Sequence, residues 1–281
     1  MIVLRRIAFI NEKGGSGKTT LLGNIAAFLA LRRGRRVLAI DVDPQGQLGK
    51  VLGVDVRSVR RSALDLLLDS VLEGAESAAP SSQASPPKGL PIVSTRIEGL
   101  DLIPANKSLG LFPGWQPGGG DPTESLARSL RRSRELSRYD FVLFDAPPSF
   151  GPLTLNVLRA TEEVVVPVPL TYLALDGCAE LMRSLKTVRT RYGHPTLRVT
   201  MVIPTFYRRT RLAHATLERL KTRFPKEIAH TVVGFHVKLD EAQSHGLSIF
   251  EYAPNDRGAH AMAALAEELE SRAEPAPGDP V

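Results

Sequence analysis

The sequence has very little cysteine: Cys178 is the single cysteine in 281 residues. One cysteine cannot form a disulfide framework, and it cannot hold a cysteine-ligated metal cluster within one chain. The six histidines are scattered along the chain and do not show the spacing of a metal site. The composition therefore excludes the disulfide-stabilised and iron–sulfur classes of protein.

The sequence also lacks a long apolar run. No stretch of about 18 apolar residues is present to span a bilayer. The N-terminal segment MIVLRRIAFI is short and is interrupted by Arg5 and Arg6, which is not the pattern of a signal peptide. We therefore expect a cytoplasmic protein.

The overall composition is that of a soluble globular protein with a surplus of positive charge. Hydrophobic residues make up 43% and charged residues 23% of the chain, which is enough to bury a sizeable core. The formal net charge is +6, and arginine outnumbers lysine. This surplus indicates either an affinity for polyanions such as nucleic acid or the codon bias of a GC-rich genome.

Short β-branched runs alternate with longer helical patterns, which is typical of βαβ units and an α/β fold with a mostly parallel sheet. The predicted strands are Val3–Asn11, Arg36–Asp41, Leu100–Pro104, Phe141–Asp145, Glu163–Pro167, Arg198–Pro204 and Thr231–Phe235. The predicted helices are Lys18–Arg33, Thr123–Ser137, Leu175–Tyr192, Leu212–Phe224 and Gly258–Arg272.

Two segments rich in proline, glycine and serine interrupt this alternation. Residues 76–91 and 113–122 are predicted to be surface loops, and residues 274–281 a disordered tail. Strand patterns continue on both sides of the two loops, so neither is expected to be a linker between domains. We predict one domain over residues 1–273.

A glycine-rich run at residues 10–20, INEKGGSGKTT, is similar to a phosphate loop but lacks one of its glycines. The general pattern G-x-x-x-x-G-K-[ST] requires glycine at position 12, where this chain has Glu12. A strand pattern leads into the run and a helical pattern follows it, as a phosphate loop requires. Gly14, Gly15 and Gly17 allow backbone N–H groups to turn toward an anion at the positive end of the helix.

The sequence also supplies the side chains that a nucleotide hydrolase needs around such a loop. Lys18 would reach the β- and γ-phosphates, and the Thr19 hydroxyl would ligate Mg²⁺. Asp145 follows the apolar run FVLF. Asp41 and Asp43 lie at the end of a second strand, where both side chains share one face of that strand. Because the carboxyl ends of parallel strands meet at one edge of a sheet, we expect the loop and the three acids to share one crevice.

Four segments in this order, KGGSGKTT, DVDPQG, FDAPPS and LDEAQSHG, resemble the ParA (Soj) family of partitioning ATPases, in the MinD/ParA superfamily. In that family the loop is the deviant Walker A motif, K-G-G-x-G-K-T, which lacks the first glycine of the general pattern, so Glu12 is no defect. The resemblance covers essentially the whole chain. It implies a three-layer α/β/α P-loop NTPase with a mostly parallel twisted sheet, and ATP hydrolysis with Mg²⁺ that is weak alone and stimulated by a partner.

The resemblance also implies roles for individual residues. Lys13 would reach the phosphates of the partner subunit in an ATP-bound homodimer, as an arginine finger does in trans. Asp43 would position or activate the attacking water, while Asp41 and Asp145 would join Thr19 around Mg²⁺. The predicted catalytic residues are Lys13, Lys18 and Asp43. The predicted ATP contacts are Lys13, Gly14, Gly15, Ser16, Gly17, Lys18, Thr19, Thr20 and, at the adenine, Pro204.

Residues 205–226, TFYRRTRLAHATLERLKTRFPK, carry many basic side chains and one acid, Glu218. Such a stretch is often a solvated face, but the scarcity of acids favours phosphate binding. The resemblance places non-specific DNA binding at Arg209 and Lys238, and Arg208 and Arg211 flank the first of these. The stretch has no aromatic interleaving that indicates base stacking, so we expect sequence-independent contacts with the phosphates of double-stranded DNA.

The favoured function is ATP-dependent DNA partitioning by a nucleoid-associated protein. The ATP-bound dimer would bind DNA, and a ParB-type centromere-binding protein would release it by stimulating hydrolysis. Three alternatives stay open: a ParA-like positioner of a protein cargo, a scaffold that hardly hydrolyses ATP, and a MinD-like membrane-associated ATPase. Asp43 argues against the scaffold. The acidic, alanine-rich C-terminal segment argues against the membrane protein, because it would be repelled by anionic lipid.

Overall fold

The computed structural model describes residues 4–68, 89–114, 121–172 and 174–272, and these contain a seven-stranded sheet. Its strands are β1 (Arg5–Phe9), β2 (Val37–Asp41), β3 (Val93–Ser94), β4 (Leu100–Ile103), β5 (Phe141–Asp145), β6 (Glu163–Pro169) and β7 (Arg198–Thr205). The strand order is β3-β4-β2-β5-β1-β6-β7. Every neighbouring pair is parallel except β3 with β4, so the carboxyl ends of six strands lie along one edge.

Helices connect these strands in the described part of the chain. They are α1 (Lys18–Arg33), α2 (Gln47–Val51), α3 (residues 63–68), α4 (Ser125–Arg132), α5 (Pro152–Ala160), α6 (Ala174–Arg191), α7 (Arg211–Arg223), α8 (Val237–Ser244), α9 (Ile249–Tyr252) and α10 (Arg257–Ser271). Short 3₁₀ segments occur at Lys107–Gly114, Pro122–Glu124 and Arg134–Arg138. Among the described helices, none is both long enough and apolar enough to cross a membrane.

The helices cover both faces of the sheet, because both faces of its central strands are apolar. In β2, Leu38 and Ile40 pack into one buried cluster, while Val37 and Ala39 pack into the other. The first cluster includes side chains from α4 to α7, and the second includes side chains from α1 and α8 to α10. The predicted three-layer α/β/α fold with a mostly parallel sheet is confirmed.

Helix α1 carries the phosphate loop at its start, and its sequence fixes both of its ends. Gly17 precedes it and Gly34 follows it, both in the left-handed conformation that favours glycine. Arg32 and Arg33 in the last turn complement the negative end of the helix dipole. The helix packs against the sheet and α10 through fully buried side chains such as Leu22 and Ile25. This packing fixes the position of its N-terminus at the sheet edge.

At the opposite edge of the sheet, where the parallel strands begin, a buried ion pair joins two strands. The Arg5 Nη2 and Glu163 Oε2 atoms lie 2.8 Å apart, joining β1 to β6. Arg5 also donates through Nη1 to the carbonyl oxygen of Leu269 in α10 at 2.8 Å, and Thr200 of β7 donates to Glu163 at 2.8 Å. The Arg5 and Glu163 side chains thus connect β1, β6, β7 and α10.

Most predicted elements agree with the structure, and two predictions are wrong. The segment 231–235 is not a strand: only Gly234 forms an isolated bridge, with Tyr207. The predicted helix at 123–137 is interrupted at Ser133, which is extended and accepts a hydrogen bond from the Glu135 N–H, starting a new 3₁₀ turn. The two predicted loops and the predicted tail lie largely outside the described residues.

Candidate functional site

The glycine-rich run lies at the carboxyl end of β1 and leads directly into α1. Gly15 (φ 68°) and Gly17 (φ 91°) have positive φ angles, which side chains with a Cβ rarely adopt. A Cβ on Gly14 or Gly15 would meet nothing within 4 Å, so the space in front of the loop is open. Backbone N–H groups at the start of a helix, facing open space, form a cradle for an anion.

Lys18 is held beside this cradle in an unusually enclosed place for a lysine. Its side chain is buried, and Nζ donates to the Asn11 carbonyl oxygen at 3.2 Å. Burial lowers the pKa of the ammonium group, while Asp145 and Asp43 act in the opposite direction. A buried ammonium with a single backbone acceptor is ready to exchange that bond for a stronger one with phosphate.

Asn11 was not predicted as a site residue, and it organises the entry to the loop. Its side chain accepts from the Lys13 N–H at 2.8 Å and donates to the Pro167 carbonyl oxygen of β6 at 2.6 Å. Asn11 thereby ties the loop to the neighbouring strand. No motif in the sequence marks this role, because it depends on which strand lies beside β1.

Thr19 and Asp145 join the loop to β5. The Thr19 hydroxyl donates to Asp145 Oδ2 at 2.6 Å, and Asp145 is buried to 1% exposure. Burial raises the pKa of Asp145 from 3.8 to about 7, although the bond from Thr19 and the charge of Lys18 act to lower it. The second oxygen, Oδ1, is buried without a hydrogen-bond partner. A buried acceptor without a partner is costly, so this oxygen is ready to receive a donor.

The two acids that follow β2 lie next to Asp145. Asp41 is paired in register with Asp145 across β2 and β5 and is fully buried. It accepts from the backbone N–H groups of Asp43 (3.0 Å) and Leu48 (3.1 Å). Burial, together with the nearby charge of Asp145, raises the pKa of Asp41 well above its ordinary value. Asp43 lies just beyond the strand, is partly exposed and accepts from the Gln45 N–H at 2.9 Å.

These contacts bring the predicted acids, Lys18 and Thr19 together in one crevice at the carboxyl edge of the sheet. Within the described residues, no cluster of three or more histidine, cysteine, aspartate or glutamate side chains has the arrangement of a protein-only metal site. Thr19 and the unpartnered oxygen of Asp145 fit a different arrangement, in which a divalent cation is held mainly by a ligand's phosphates and by water.

Lys13 points away from this crevice. It is exposed, and its Nζ atom donates to the Thr171 hydroxyl, in the loop after β6, at 3.1 Å. The next residue, Tyr172, is 80% exposed. Lys13 therefore lies on the outer surface beside the phosphate loop rather than among the groups that surround Lys18.

A narrow cleft lies beside the loop, on the side of α1 away from the acids. Its lining includes Gly17, Thr20, Phe206, Gly234, Phe235 and His236, and we call it the side cleft. Pro204, the predicted adenine contact, is buried in β7 and accepts from the Val233 N–H, while the two residues that follow it line the side cleft. Gln243 of α8, in the LDEAQSHG segment, donates to the Thr20 hydroxyl at 2.8 Å. Gln243 was not singled out from the sequence.

The predicted DNA-contacting residues Arg208, Arg209, Arg211 and Lys238 are all exposed, and we call them the basic face. Arg209 and Arg211 flank Thr210, whose hydroxyl accepts from the Ala213 N–H at the start of α7. Lys238 forms an ion pair with Glu241 at 2.7 Å. An exposed pair of this kind contributes little, so Lys238 can exchange it for another anion. Arg208 lies with its guanidinium carbon 5.9 Å from the centre of the Phe235 ring.

The fold and the site together define a nucleotide-binding protein of the phosphate-loop class. A family model described as an AAA domain matches residues 4–199. The chain is 40% identical over 274 residues to the chromosome-partitioning ATPase Soj of Thermus thermophilus, covering 97% of this chain and 98% of that protein. It is 34% identical to the sporulation initiation inhibitor protein Soj of Bacillus subtilis, covering 94% and 97% of the two chains.

Solved structures of nucleotide-bound proteins share the fold. Cobyrinic acid a,c-diamide synthase from Mycobacterium smegmatis, with bound ADP and magnesium, is 29% identical with a TM-score of 0.73, covering 94% of this chain and 93% of that one. The septum site-determining protein MinD of Pyrococcus horikoshii, complexed with Mg-ADP, is 23% identical with a TM-score of 0.69, covering 96% and 97%, and supports the fold alone. The chain belongs to the Soj/ParA family of partitioning ATPases.

Proposed function

We propose that the chain hydrolyses ATP in the crevice at the sheet edge and uses that cycle to bind and release DNA. The observation that carries the proposal is the 2.6 Å hydrogen bond between Thr19 and Asp145, with Asp41 in register beside it. It joins a phosphate loop to the acids of two neighbouring strands. Such a combination is the arrangement that phosphoryl transfer to water requires.

The triphosphate would lie on the backbone N–H groups of residues 14–19, with Lys18 beside its outer phosphates. Lys18 would give up its bond to the Asn11 carbonyl oxygen and donate to phosphate oxygens instead. Because Lys18 is enclosed, its charge is little screened by water, which strengthens this interaction. Ser16 and Thr20 would complete the contacts around the loop.

Thr19 and Asp145 fit Mg²⁺ as part of an ATP complex, and Asp41 lies next to Asp145. The Thr19 hydroxyl would be a direct ligand, and the unpartnered Asp145 Oδ1 would accept from a coordinated water. Bound Mg²⁺ would neutralise negative charge on the outer phosphates. Asp41 already accepts two backbone N–H groups, so its part is to fix the turn that carries Asp43.

Asp43 is the acid best placed to orient the attacking water. It lies at the mouth of the crevice, partly exposed, and its charge is close enough to Lys18 and Asp145 to affect the pKa of both. Its carboxylate would accept a hydrogen bond from water and hold that water in line with the outer phosphate. The bond from the Gln45 N–H fixes the direction of the carboxylate.

Lys13 would act on the nucleotide of a second subunit. Its side chain is exposed beside the phosphate loop, where its Nζ atom donates to the Thr171 hydroxyl. In an ATP-bound homodimer with the two loops facing each other, Lys13 would place a positive charge against the partner's phosphates, where charge develops during transfer. The same contact would make dimerisation dependent on ATP.

The adenine ring would enter the side cleft, since this cleft opens beside Gly17 and Thr20 at the start of α1. Phe206 offers an aromatic face for the base. Pro204 would then shape the floor of the site through its position in β7, rather than provide the main face for stacking.

DNA would bind on the basic face through its phosphates. Arg209 and Arg211 lie at the N-terminus of α7, where the helix dipole also favours an anion. Contacts of this kind carry no sequence information, so binding should be non-specific and sensitive to salt. The ATP-bound dimer would thus be the form that lies on the nucleoid. A ParB-type partner would stimulate hydrolysis and so release the dimer from DNA.

One pair of variants tests the DNA-binding part of this proposal. Arg209→Glu should abolish ATP-dependent DNA binding, because it places a negative charge at the centre of the basic face, and ATP affinity should be unchanged. Arg57→Glu is the matched control, since Arg57 is an exposed arginine of another loop. If both variants bind DNA equally well, with the same dependence on salt, the proposed face is wrong.

A further inference from the structure

Two loops at the sheet edge are fastened to each other. Residues 206–210 connect β7 to α7, and residues 231–236 lead into α8. The Tyr207 N–H donates to the Val233 carbonyl oxygen at 3.0 Å, and Tyr207 and Gly234 form a parallel bridge. Because backbone bonds join the two loops, a movement of one is transmitted to the other.

The side cleft between these loops is too small for a base in the described conformation. Its cavity volume is about 60 Å³, whereas sites for small molecules usually measure roughly 300–1,000 Å³. The Phe206 ring lies over the phosphate loop, with its Cζ atom 3.6 Å from the position of a Cβ on Gly17. Entry of a base therefore requires Phe206 to move.

Phe206 is also in a strained conformation. Its φ angle is 55°, and among the described residues it is the one non-glycine residue with positive φ. A bulky side chain rarely adopts this region, and such strain is concentrated at sites that bind ligands or switch conformation. Release of this strain would favour a movement of Phe206.

Exposed basic residues lie in the first of the two joined loops and just after the second. Arg208 follows Phe206 by two positions, and Lys238 follows His236 by two. The Arg208 guanidinium carbon lies 5.9 Å from the centroid of Phe235, which lines the side cleft and is 54% exposed. The Phe235 ring thus lines the side cleft and also lies within cation–π distance of an arginine of the basic face.

We propose that Phe235 is a positioning residue that couples occupancy of the side cleft to DNA binding within one subunit. A purine that displaces Phe206 shifts the joined loops, and the Phe235 ring carries Arg208 into the geometry that binds a DNA phosphate. This inference rests on the proposed function, since it requires the base in the side cleft and DNA on the basic face. It adds a route from nucleotide to DNA that lies within the subunit.

The test compares DNA affinity with ATP and without nucleotide, by co-sedimentation with a non-specific duplex. Phe235→Leu keeps an apolar side chain but removes the aromatic ring. It should reduce the ratio of the two affinities roughly two- to fivefold, as expected for the loss of one exposed cation–π contact. Affinity for DNA without nucleotide should stay close to wild type, and the ATP measurement is made at saturating ATP, so that a change in ATP affinity at this cleft-lining ring does not enter the ratio. Phe235→Tyr, which keeps the ring, should restore the ratio.

Val237→Ala is the matched control, because Val237 is a neighbouring apolar side chain that is 57% exposed and does not line the side cleft. It should leave the ratio unchanged. The double variant Phe235→Leu with Arg208→Ala should be no weaker than Arg208→Ala alone, since both changes break the same contact.

The outcomes separate this inference from the proposed function. If wild type binds DNA with ATP and Arg209→Glu does not, but Phe235→Leu keeps the full ratio, Phe235 has no coupling role and the inference is overturned. If Phe235→Leu and Val237→Ala lower the ratio equally, the effect is not that of the ring, which also overturns it. If wild type shows no ATP-dependent binding, the proposed function fails and the inference fails with it.

Discussion

Asp145 is the central residue of the candidate site. One of its oxygens accepts from Thr19 and the other has no partner, although both are buried. A carboxylate in this state is unfavourable for folding, and burial raises its pKa to about 7. Such unsatisfied groups are retained where function needs them, because the ligand supplies the missing donor and charge.

The stability of the ligand-free protein should therefore depend on the titration of Asp145. Between 3.8 and about 7 the folded carboxyl keeps a proton that the unfolded chain has released. Since the unfolded state then binds fewer protons, this group lowers the free energy of unfolding as pH rises through the window. Asp41, whose pKa is also raised, acts in the same direction.

Asp145→Asn removes that titration and keeps an acceptor for Thr19. In chelator and without nucleotide, its free energy of unfolding should fall less with rising pH than that of wild type, and it should exceed wild type above neutral pH. Urea unfolding at several pH values measures both. Equal pH slopes for the two proteins would show that Asp145 is already ionised in the folded state at acidic pH.

Lys13 is the second residue for which a single change is informative. Because its ammonium group would act only across a dimer, Lys13→Ala should still bind ATP but lose ATP-dependent dimerisation. Partner-stimulated hydrolysis should fall on the order of a thousandfold, as for an arginine finger supplied in trans. Light scattering and phosphate release measure the two effects.

Lys50→Ala provides the control for Lys13→Ala, since Lys50 is an exposed lysine at the end of α2. It should behave as wild type in both measurements. A Lys13→Ala variant that dimerises and hydrolyses normally would contradict the trans role.

At the scale of elements, the structure joins its first strand and last helix through Arg5 and Glu163. Glu163→Ala leaves Arg5 buried without its partner, so it should lower the free energy of unfolding by about 3–5 kcal/mol. Glu162→Ala is the control: Glu162 pairs with Arg6, and both side chains are about a quarter exposed, so its loss should be below about 1 kcal/mol. Urea unfolding compares them. Equal losses would show that the buried pair contributes no more than the exposed one.

Elements whose structure is determined by their own sequence were predictable. Elements whose structure depends on contact with another part of the fold were not. The apolar runs of β2 and β5 and the helical period of α1 identify these elements from sequence alone. The segment 231–235 has the valines and phenylalanine of a strand, and the Val233 N–H donates to the Pro204 carbonyl oxygen of the edge strand β7, but within the segment Gly234 alone forms a bridge and no continuous ladder results. Helix α8 follows at once and was not predicted.

The site shows the same division between local and distant information. Lys18, Thr19 and the three acids were predictable because a loop and two strand ends place them by chain geometry. Asn11, Gln243 and Phe235 were not, since their roles arise from contacts across the fold: Asn11 with β6, Gln243 with Thr20 and Phe235 with Arg208. The sequence of residues 205–226 showed no aromatic interleaving, but another loop supplies the ring.

At the scale of the whole molecule, four exposed basic residues lie near the phosphate loop. The basic face lies on and just beyond the loops that flank the side cleft, at the same edge of the sheet as the phosphate loop. A bound nucleotide and a bound DNA would thus be held by adjoining parts of one edge. In the proposed cycle, this placement would let ATP control DNA binding over a short distance.

The most direct test is co-sedimentation of the wild-type protein with non-specific DNA in ATP, in ADP and without nucleotide, each at two salt concentrations. We predict binding with ATP that weakens steeply as salt rises, and much weaker binding in the other two states. Binding that is equal in all three states, or absent in ATP while ATP itself is bound, would contradict a nucleotide-controlled cycle on DNA.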